Sequence, residues 1–259
     1  MTGENFELSV VVPVLNEEGN IDPLLAELEA VRASLDVPCE YVFVNDGSTD
    51  TTLDKLRAAM RTMPHLQVFS HGKPCGKSEA LLTCVRKARG RLVVMIDGDL
   101  QNDPADIPRL YQVYIDAEKS GRNIGIVEGQ RTKRKDPFPR NLVSRIANNV
   151  RGAILNDTTR DAGCGFKVLS RDLFLALPFF TGLHRFMPAL VKREGFEIVL
   201  APVNHRPRVS GVAKYNTWNR LWVGIGDLAA VWWLLKRRHD PHGVTHNLSD
   251  GKDEPCSPL

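Results

Sequence analysis

A chain of 259 residues is long enough to bury one sizeable core, and its 42% hydrophobic and 25% charged residues are ordinary for a globular domain. A net charge of +3 is too small to specify nucleic-acid binding, so no nucleic acid is expected as a partner. Five cysteines, an odd number with no C-x-x-C pair, argue against a disulfide framework and against a zinc site, and fit a reduced, cytoplasmic compartment.

In chain order, Leu8 to Leu15 is a short β-branched apolar run. It lacks a preceding basic segment and a small-residue cleavage site, so a strand is expected and not a signal peptide. Ile21, Leu24, Leu25, Leu28, Val31 and Leu35 recur at helical spacing. Tyr41 to Val44 reads as a strand, and Thr51 to Met60 as a helix with Asp50 at its N-cap. Leu66 to Phe69 is the third strand, Ser78 to Ala88 the third helix, and Leu92 to Ile96 a strand apolar on both faces. A helix from Pro104 to Glu118 follows, with Asp103 before it, and then a strand from Ile124 to Glu128.

The rhythm changes after Arg131. The stretch to Arg151 carries seven basic residues and one acid, read as a loop and then a helix from about Arg140. Phe179 to Glu194 is expected to be helical and Phe196 to Val203 a strand. A basic loop, Asn204 to Lys214, precedes the apolar segment Trp218 to Leu235. After His239 the tail is polar with Pro and Gly and is expected to be disordered.

Alternating strands and helices imply an α/β fold with a mostly parallel sheet and helices on both faces. Ligands of such sheets bind beyond the carboxyl ends of the strands. Three polar clusters fall there: Asn16-Glu17, Asp46-Gly47-Ser48 and Asp97-Gly98-Asp99. Two carboxylates separated by one small residue suit a hard divalent cation, Mg²⁺ or Mn²⁺, which in turn suits a diphosphate leaving group. Asp46 is placed to accept hydrogen bonds from a nucleobase or ribose. The run Gly72 to Ser78, with Gly76 and Lys77, is one residue short of a G-x-x-x-x-G-K-S phosphate loop, which speaks against an ATPase and leaves Lys77 to approach a donor or simply begin a helix.

Arg131, Lys133, Arg134, Lys135, Arg140, Arg145 and Arg151 are candidates for phosphate binding, anionic lipid or a plain solvated face. The loop His205-Arg206-Pro207-Arg208 to Lys214-Tyr215 holds Gly211 and is expected to close over a phosphate. His184 and Arg185 read equally well as a helix surface. Leu221 to Leu235 is shorter than the about 20 apolar residues of a membrane span and has Asp227 in its middle. It carries Trp222, Trp232 and Trp233, with Trp218 just before it and Lys236, Arg237 and Arg238 just after, a composition suited to the membrane–water interface or to a core or dimer helix.

Taken together, VVPVLNEEGNI, VNDGSTDTT, the lysine-bearing GK segment, DGDLQNDP, GQR, DAGCGFKVLSR, LHRFMPAL and HRPRVSGVAKY resemble family 2 glycosyltransferases of GT-A fold. The chain is most similar to the polyprenyl-phosphate glycosyltransferases, such as dolichol-phosphate mannose synthase, from about Leu8 to Arg238. The resemblance implies that Pro13, Asn16, Glu17 and Asp46 hold the nucleoside of a UDP- or GDP-linked sugar. It assigns metal and diphosphate to Asp97, Asp99 and Gln101. Arg131, Arg145, Arg206 and Lys214 are the expected phosphate ligands for donor and acceptor. Asn45, Lys167 and Ala213 depart from residues usual in the family, and the C-terminal membrane-spanning helices that many members carry are not expected in this sequence.

The expected reaction is inverting transfer of the sugar to a polyprenyl phosphate. A phosphate monoester, with a second pKa of about 6, is already ionised near neutral pH and needs no strong base. Transferases to hydroxyls in this family carry an acidic pair in the later region, and here no acid lies between Asp172 and Glu194. The alternatives are a saccharide-hydroxyl acceptor, a processive synthase, and a non-catalytic nucleotide-sugar-binding protein. The expected layout is a GT-A domain over 1–215, an amphipathic interfacial helix over 216–239 and a tail over 240–259. The protein is expected to lie peripherally on the inner face of the membrane, and homo-oligomer formation stays open.

Overall fold

The computed structural model of the chain describes residues 6–131, 152, 155, 164–207, 217–237, 245–246 and 254–255; of these, the side chains of 217–223, 225, 245–246 and 254–255 are not described. Strands β1 (Leu8–Val14), β2 (Cys39–Asn45), β3 (Leu66–Ser70) and β4 (Leu92–Met95) alternate with helices α1 (Ile21–Ser34), α2 (Thr52–Met60) and α3 (Lys77–Lys87). A 3₁₀ turn at Pro104–Asp106 leads into α4 (Ile107–Lys119) and β5 (Ile124–Arg131). Then come β6 (Lys167–Ser170), α5 (Arg171–Ala176), a 3₁₀ turn at Leu183–Arg185, α6 (Met187–Arg193), β7 (Glu197–Val203) and α7 (Thr217–Leu235). In the tail, Thr245–His246 pairs antiparallel with Glu254–Pro255.

The seven strands form one sheet in the order β3-β2-β1-β4-β6-β5-β7. All run parallel except β6, which is antiparallel to both β4 and β5. Alternation along each strand divides the core in two. Leu8, Val10, Val12 and Val14 of β1 join Tyr41 and Phe43 of β2 and Leu92 and Val94 of β4 under α1 and α4. Val11, Val42, Val44, Val93 and Met95 face the other way, toward Ala80, Leu81, Cys84 and Val85 of α3 and Leu190 and Val191 of α6. Burial on both faces is why these strands read as continuous apolar runs.

The far end of the sheet is closed by a buried carboxylate. Glu40 is fully buried and accepts hydrogen bonds from Ser9 Oγ (2.7 Å), Gln67 Nε2 (2.7 Å) and the Arg89 backbone N–H (2.6 Å) and Nε (2.8 Å). It therefore ties β1, β2 and β3 to the turn before β4.

The expected strands and the first four helices are present. The β6–α5 unit is an addition: four strand residues and six helical ones are too short for a periodic signal. The helix expected over Phe179–Glu194 is shorter. Gly182 adopts φ 102, and the chain makes only a 3₁₀ turn before α6 begins at Met187. Asp50 does serve the start of α2, accepting from Thr52 N at 3.0 Å, although the preceding helical boundary residue is Thr51.

Candidate active site

The carboxyl ends of β1 and β2 are stitched together. Asn16, at φ 49, donates its backbone N–H to Ser48 Oγ (2.9 Å), and its side-chain oxygen accepts from Thr49 N (2.8 Å). Glu17 N donates to Thr52 Oγ1 (2.8 Å), while the Glu17 carboxylate accepts from Asn20 Nδ2 (2.6 Å). Pro13 lies one strand position back, level with Val44 of β2. The two motifs read separately in the sequence are thus one rim.

Asp46 organises the next wall. Its buried carboxylate accepts from the backbone N–H of Cys75 (2.9 Å) and of Gly76 (2.8 Å) and bonds His71 Nδ1 (2.7 Å). The loop from His71 to Gly76 is folded over this one side chain, and Gly47, at φ 72, lets the backbone of Lys73 and Pro74 pack so close that a Cβ would lie 2.6 Å from it. Gly76, at φ 97, opens α3.

That loop delivers Lys77 to Asp97, whose carboxylate contacts the ammonium directly. Burial alone would raise the Asp97 pKa; the Lys77 charge and hydrogen bond, helped by Lys167, hold it below the usual carboxylate value. About a third of the side chain stays open, at 31% exposure. Its backbone N–H donates to Asn102 Oδ1 (3.0 Å), and Gly165 packs against it so tightly that a Cβ there would lie 2.6 Å from Oδ2. Asp99 is 8% exposed and accepts from Gln101 N (3.2 Å), with Leu100 between them at φ 59. The donor set is hard oxygen throughout, and a cationic group already rests on Asp97. These residues fit Mg²⁺ or Mn²⁺.

Beneath Asp97 a second layer is charged and buried. Lys167, 1% exposed, contacts Glu128 and donates to the Cys164 carbonyl (2.6 Å). Beside the acidic pair, His184 Nδ1 bonds Ser78 Oγ (2.8 Å), which also accepts from Gly182 N (3.0 Å). Burial, then the Lys77 and Arg185 charges, push the His184 pKa down to about 3, so the imidazole is neutral. The sequence left His184 open between a site role and a helix surface; the structure puts it against Ser78, behind the first turn of α3. The pairing of β6 with β4 and β5 sets Lys167 between Met95 and Glu128, with Gly165 just ahead of the strand.

The basic loop begins at the same edge. Asn102 and His205 form an isolated antiparallel bridge, and Arg206 N donates to the Gln101 carbonyl (3.0 Å). The Arg206 guanidinium is held by Glu27 (2.8 Å) and Asp103 (2.7 Å). Arg131 ends β5 level with Val203 of β7, two residues before His205. Arg145 and Lys214, with the helix expected from Arg140, lie outside the described residues.

A mixed α/β sheet with an acidic pair at the end of β4 and a lysine-bearing loop over it defines a glycosyltransferase of GT-A type. The chain belongs to glycosyl transferase family 2, whose sequence profile matches residues 9–177. It is 34% identical to the dodecaprenyl-phosphate galacturonate synthase of Rhizobium johnstonii, over 92% of this chain and 70% of that protein. It is 29% identical to the undecaprenyl-phosphate 4-deoxy-4-formamido-L-arabinose transferase of Edwardsiella ictaluri, over 81% of this chain and 63% of that one. Among solved structures, glucosyl-3-phosphoglycerate synthase from Mycobacterium tuberculosis, in complex with Mn²⁺, UDP-glucose and phosphoglyceric acid, superposes with a TM-score of 0.62 at 21% identity, covering 98% of this chain and 88% of that one. Mannosyl-3-phosphoglycerate synthase from Rubrobacter xylanophilus gives 0.64 at 16% identity, covering 96% and 86%. These two likenesses concern the fold.

Proposed function

We propose that this family 2 enzyme moves a sugar from a UDP- or GDP-linked donor to a polyprenyl phosphate, with inversion. The observation that carries this reading is Asp97 set against Lys77, with Asp99 two residues on, in a chain related to two polyprenyl-phosphate sugar transferases. A phosphate oxygen of the lipid attacks the anomeric carbon as the bond to the diphosphate oxygen breaks, and the nucleoside diphosphate leaves. The acceptor is ionised already, which agrees with the lack of any acid from Leu173 to Arg193.

Asp97, Asp99 and Gln101 would hold Mg²⁺ or Mn²⁺, which supplies charge neutralisation to the leaving diphosphate. Pro13, Asn16 and Glu17 line the nucleoside end, and Asp46 and Gly76 act there through the loop that Asp46 holds. Lys77 adds positive charge on the diphosphate side. Arg131 and Arg206 flank one edge, with Arg145 and Lys214 assigned to the same phosphate work. For Arg206 to reach a phosphate it must exchange Glu27 and Asp103, which makes donor and acceptor binding compete with an internal ion pair.

The lipid substrate requires a membrane surface. Among the described residues no helix is long and apolar enough to cross a membrane. On α7, Trp232 and Trp233 are 44% and 54% exposed. Lys236 Nζ sits 4.8 Å above the Trp232 ring and Arg237 Cζ 5.3 Å above that of Trp233. Indoles carrying cations suit the headgroup region, so residues 216–239 serve as a peripheral anchor on the cytoplasmic face, after a catalytic unit over 1–215 and before a tail over 240–259.

The test is transfer from a panel of UDP- and GDP-sugars, with Mn²⁺, to undecaprenyl phosphate in detergent or anionic vesicles. A lipid-linked sugar phosphate is expected. Transfer to a saccharide hydroxyl with none to the lipid would overturn the reading.

A further inference from the structure

The oxygen-lined pair Asp97–Asp99 is not the one metal-competent cluster. We propose that Asp46, His71 and Cys75 form a separate site for a borderline-soft divalent ion, Zn²⁺ foremost. The ligand atoms of these three side chains all lie within 4.8 Å of one another. Ligands on a tetrahedral zinc, at about 2.0–2.3 Å from it, are roughly 3.5 Å apart, so any wider pair must close while His71 Nδ1 and Asp46 Oδ1, now 2.7 Å apart, must open slightly. Nitrogen, sulfur and oxygen donors in one cluster match zinc and mismatch Mg²⁺, which takes oxygen.

The outer contacts are those a zinc site uses. His71 Nδ1 now donates to Asp46 Oδ1 and Nε2 meets Thr83 Oγ1 at 2.9 Å; zinc at Nδ1 takes the other tautomer, in which Nε2–H donates to Thr83 Oγ1 and the ring stays fixed. The second oxygen of Asp46, Oδ2, is held by Gly76 N at 2.8 Å, while Oδ1 accepts from Cys75 N at 2.9 Å and faces His71. Cys75 is exposed, and its thiol rests on the Lys73 carbonyl at 3.3 Å, so the ion has an entry path and an open fourth position for water. Binding releases the thiol proton and ties the end of β2, the end of β3 and the loop into one cross-link just ahead of Lys77.

The sequence argued against zinc because it lacks C-x-x-C. These ligands come from three separate places, at 46, 71 and 75, and only the parallel pairing of β2 with β3 brings the first two together. Of the other described cysteines, Cys39, Cys84 and Cys164 are buried and unsuited to compete.

The test uses Co²⁺ as a spectroscopic stand-in, titrated into the reduced full-length chain with Mg²⁺ in excess to fill the oxygen-lined set. The expected result is one Co²⁺ per chain, with a near-ultraviolet thiolate-to-cobalt band that one equivalent of Zn²⁺ abolishes. Cys75→Ala, at an exposed position, should lose the band with unchanged circular dichroism, and His71→Asn should weaken binding at least tenfold. Cys256→Ala should keep the band. No thiolate band in the wild-type chain, or a band that survives Cys75→Ala and disappears in Cys256→Ala, overturns the assignment. Because the readout is binding, it is independent of whether the chain transfers sugar to a lipid.

Discussion

Asp227, in the middle of the apolar helix α7, lies 3.5 Å from the Arg185 guanidinium and against Gly182, where a Cβ would sit 2.9 Å from its Oδ2. The charge that makes this segment a poor membrane span is the one that docks the helix onto the α/β body, next to the residue that bonds Ser78 at the start of α3. Asp227→Ala should loosen α7. Both groups keep contact with water, so the loss should be on the order of 1 kcal/mol or less, a fall in Tm of about 2–4 °C at most. Differential scanning calorimetry of the variant checks it, and Arg185→Ala should not add to the effect.

Removing the Asp99 carboxylate should lower kcat by about 100-fold or more while leaving the fold intact, the scale found when one preorganised electrostatic group is deleted. Turnover of Asp99→Ala, measured beside its thermal melt, provides the check. Wild-type turnover should likewise stop with EDTA and return with Mn²⁺.

Lys77→Met takes away the largest charge that lowers the Asp97 pKa. The Asp97 pKa should rise, and the acidic limb of kcat/KM should move to higher pH. In the wild-type chain the depressed pKa contributes stability above pH 3.8 that is lost as pH falls further. An acidic limb unchanged by Lys77→Met would rule out this link.

Gly165→Ala places a methyl where the Asp97 carboxylate now lies. Turnover should drop about tenfold or more and the Mn²⁺ requirement should rise, because about 1 Å of misplacement in a catalytic constellation is enough for such losses. Gly72→Ala, with open space around it, serves as the control and should be near neutral in both respects.

His184 gives the stability a pH dependence of known sign. Its folded pKa of about 3 lies below the value of 6.5 in the unfolded chain, so the unfolded state takes up a proton that the folded state refuses. Stability should be full above about pH 6.5 and decline as pH falls from there toward 3. Urea melts of wild type and His184→Asn between pH 7 and pH 4 should converge on the acidic side.

How much of this was legible beforehand varies by element. The apolar runs of β1, β2 and β4 and the spacing of Ile21, Leu24, Leu28 and Val31 announce themselves, because burial on both faces of a sheet, or on one stripe of a helix, leaves a periodic mark in the chain. The place of the acidic residues 97 and 99 and of the polar ends of β1 and β2 was readable for a similar reason: in open α/β sheets the polar turns that follow strands gather at the carboxyl edge. Family membership followed from the order of such motifs. Tertiary structure alone decided the rest. A four-residue antiparallel strand leaves no periodic signal, yet β6 and the residues just before it bring Lys167 and Gly165 to Asp97. Arg206 looks free for phosphate in the sequence and is held by Glu27, 179 positions away, and by Asp103. Asp46, His71 and Cys75 meet because β2 and β3 pair side by side, and proximity between residues distant in the chain is what sequence spacing does not encode.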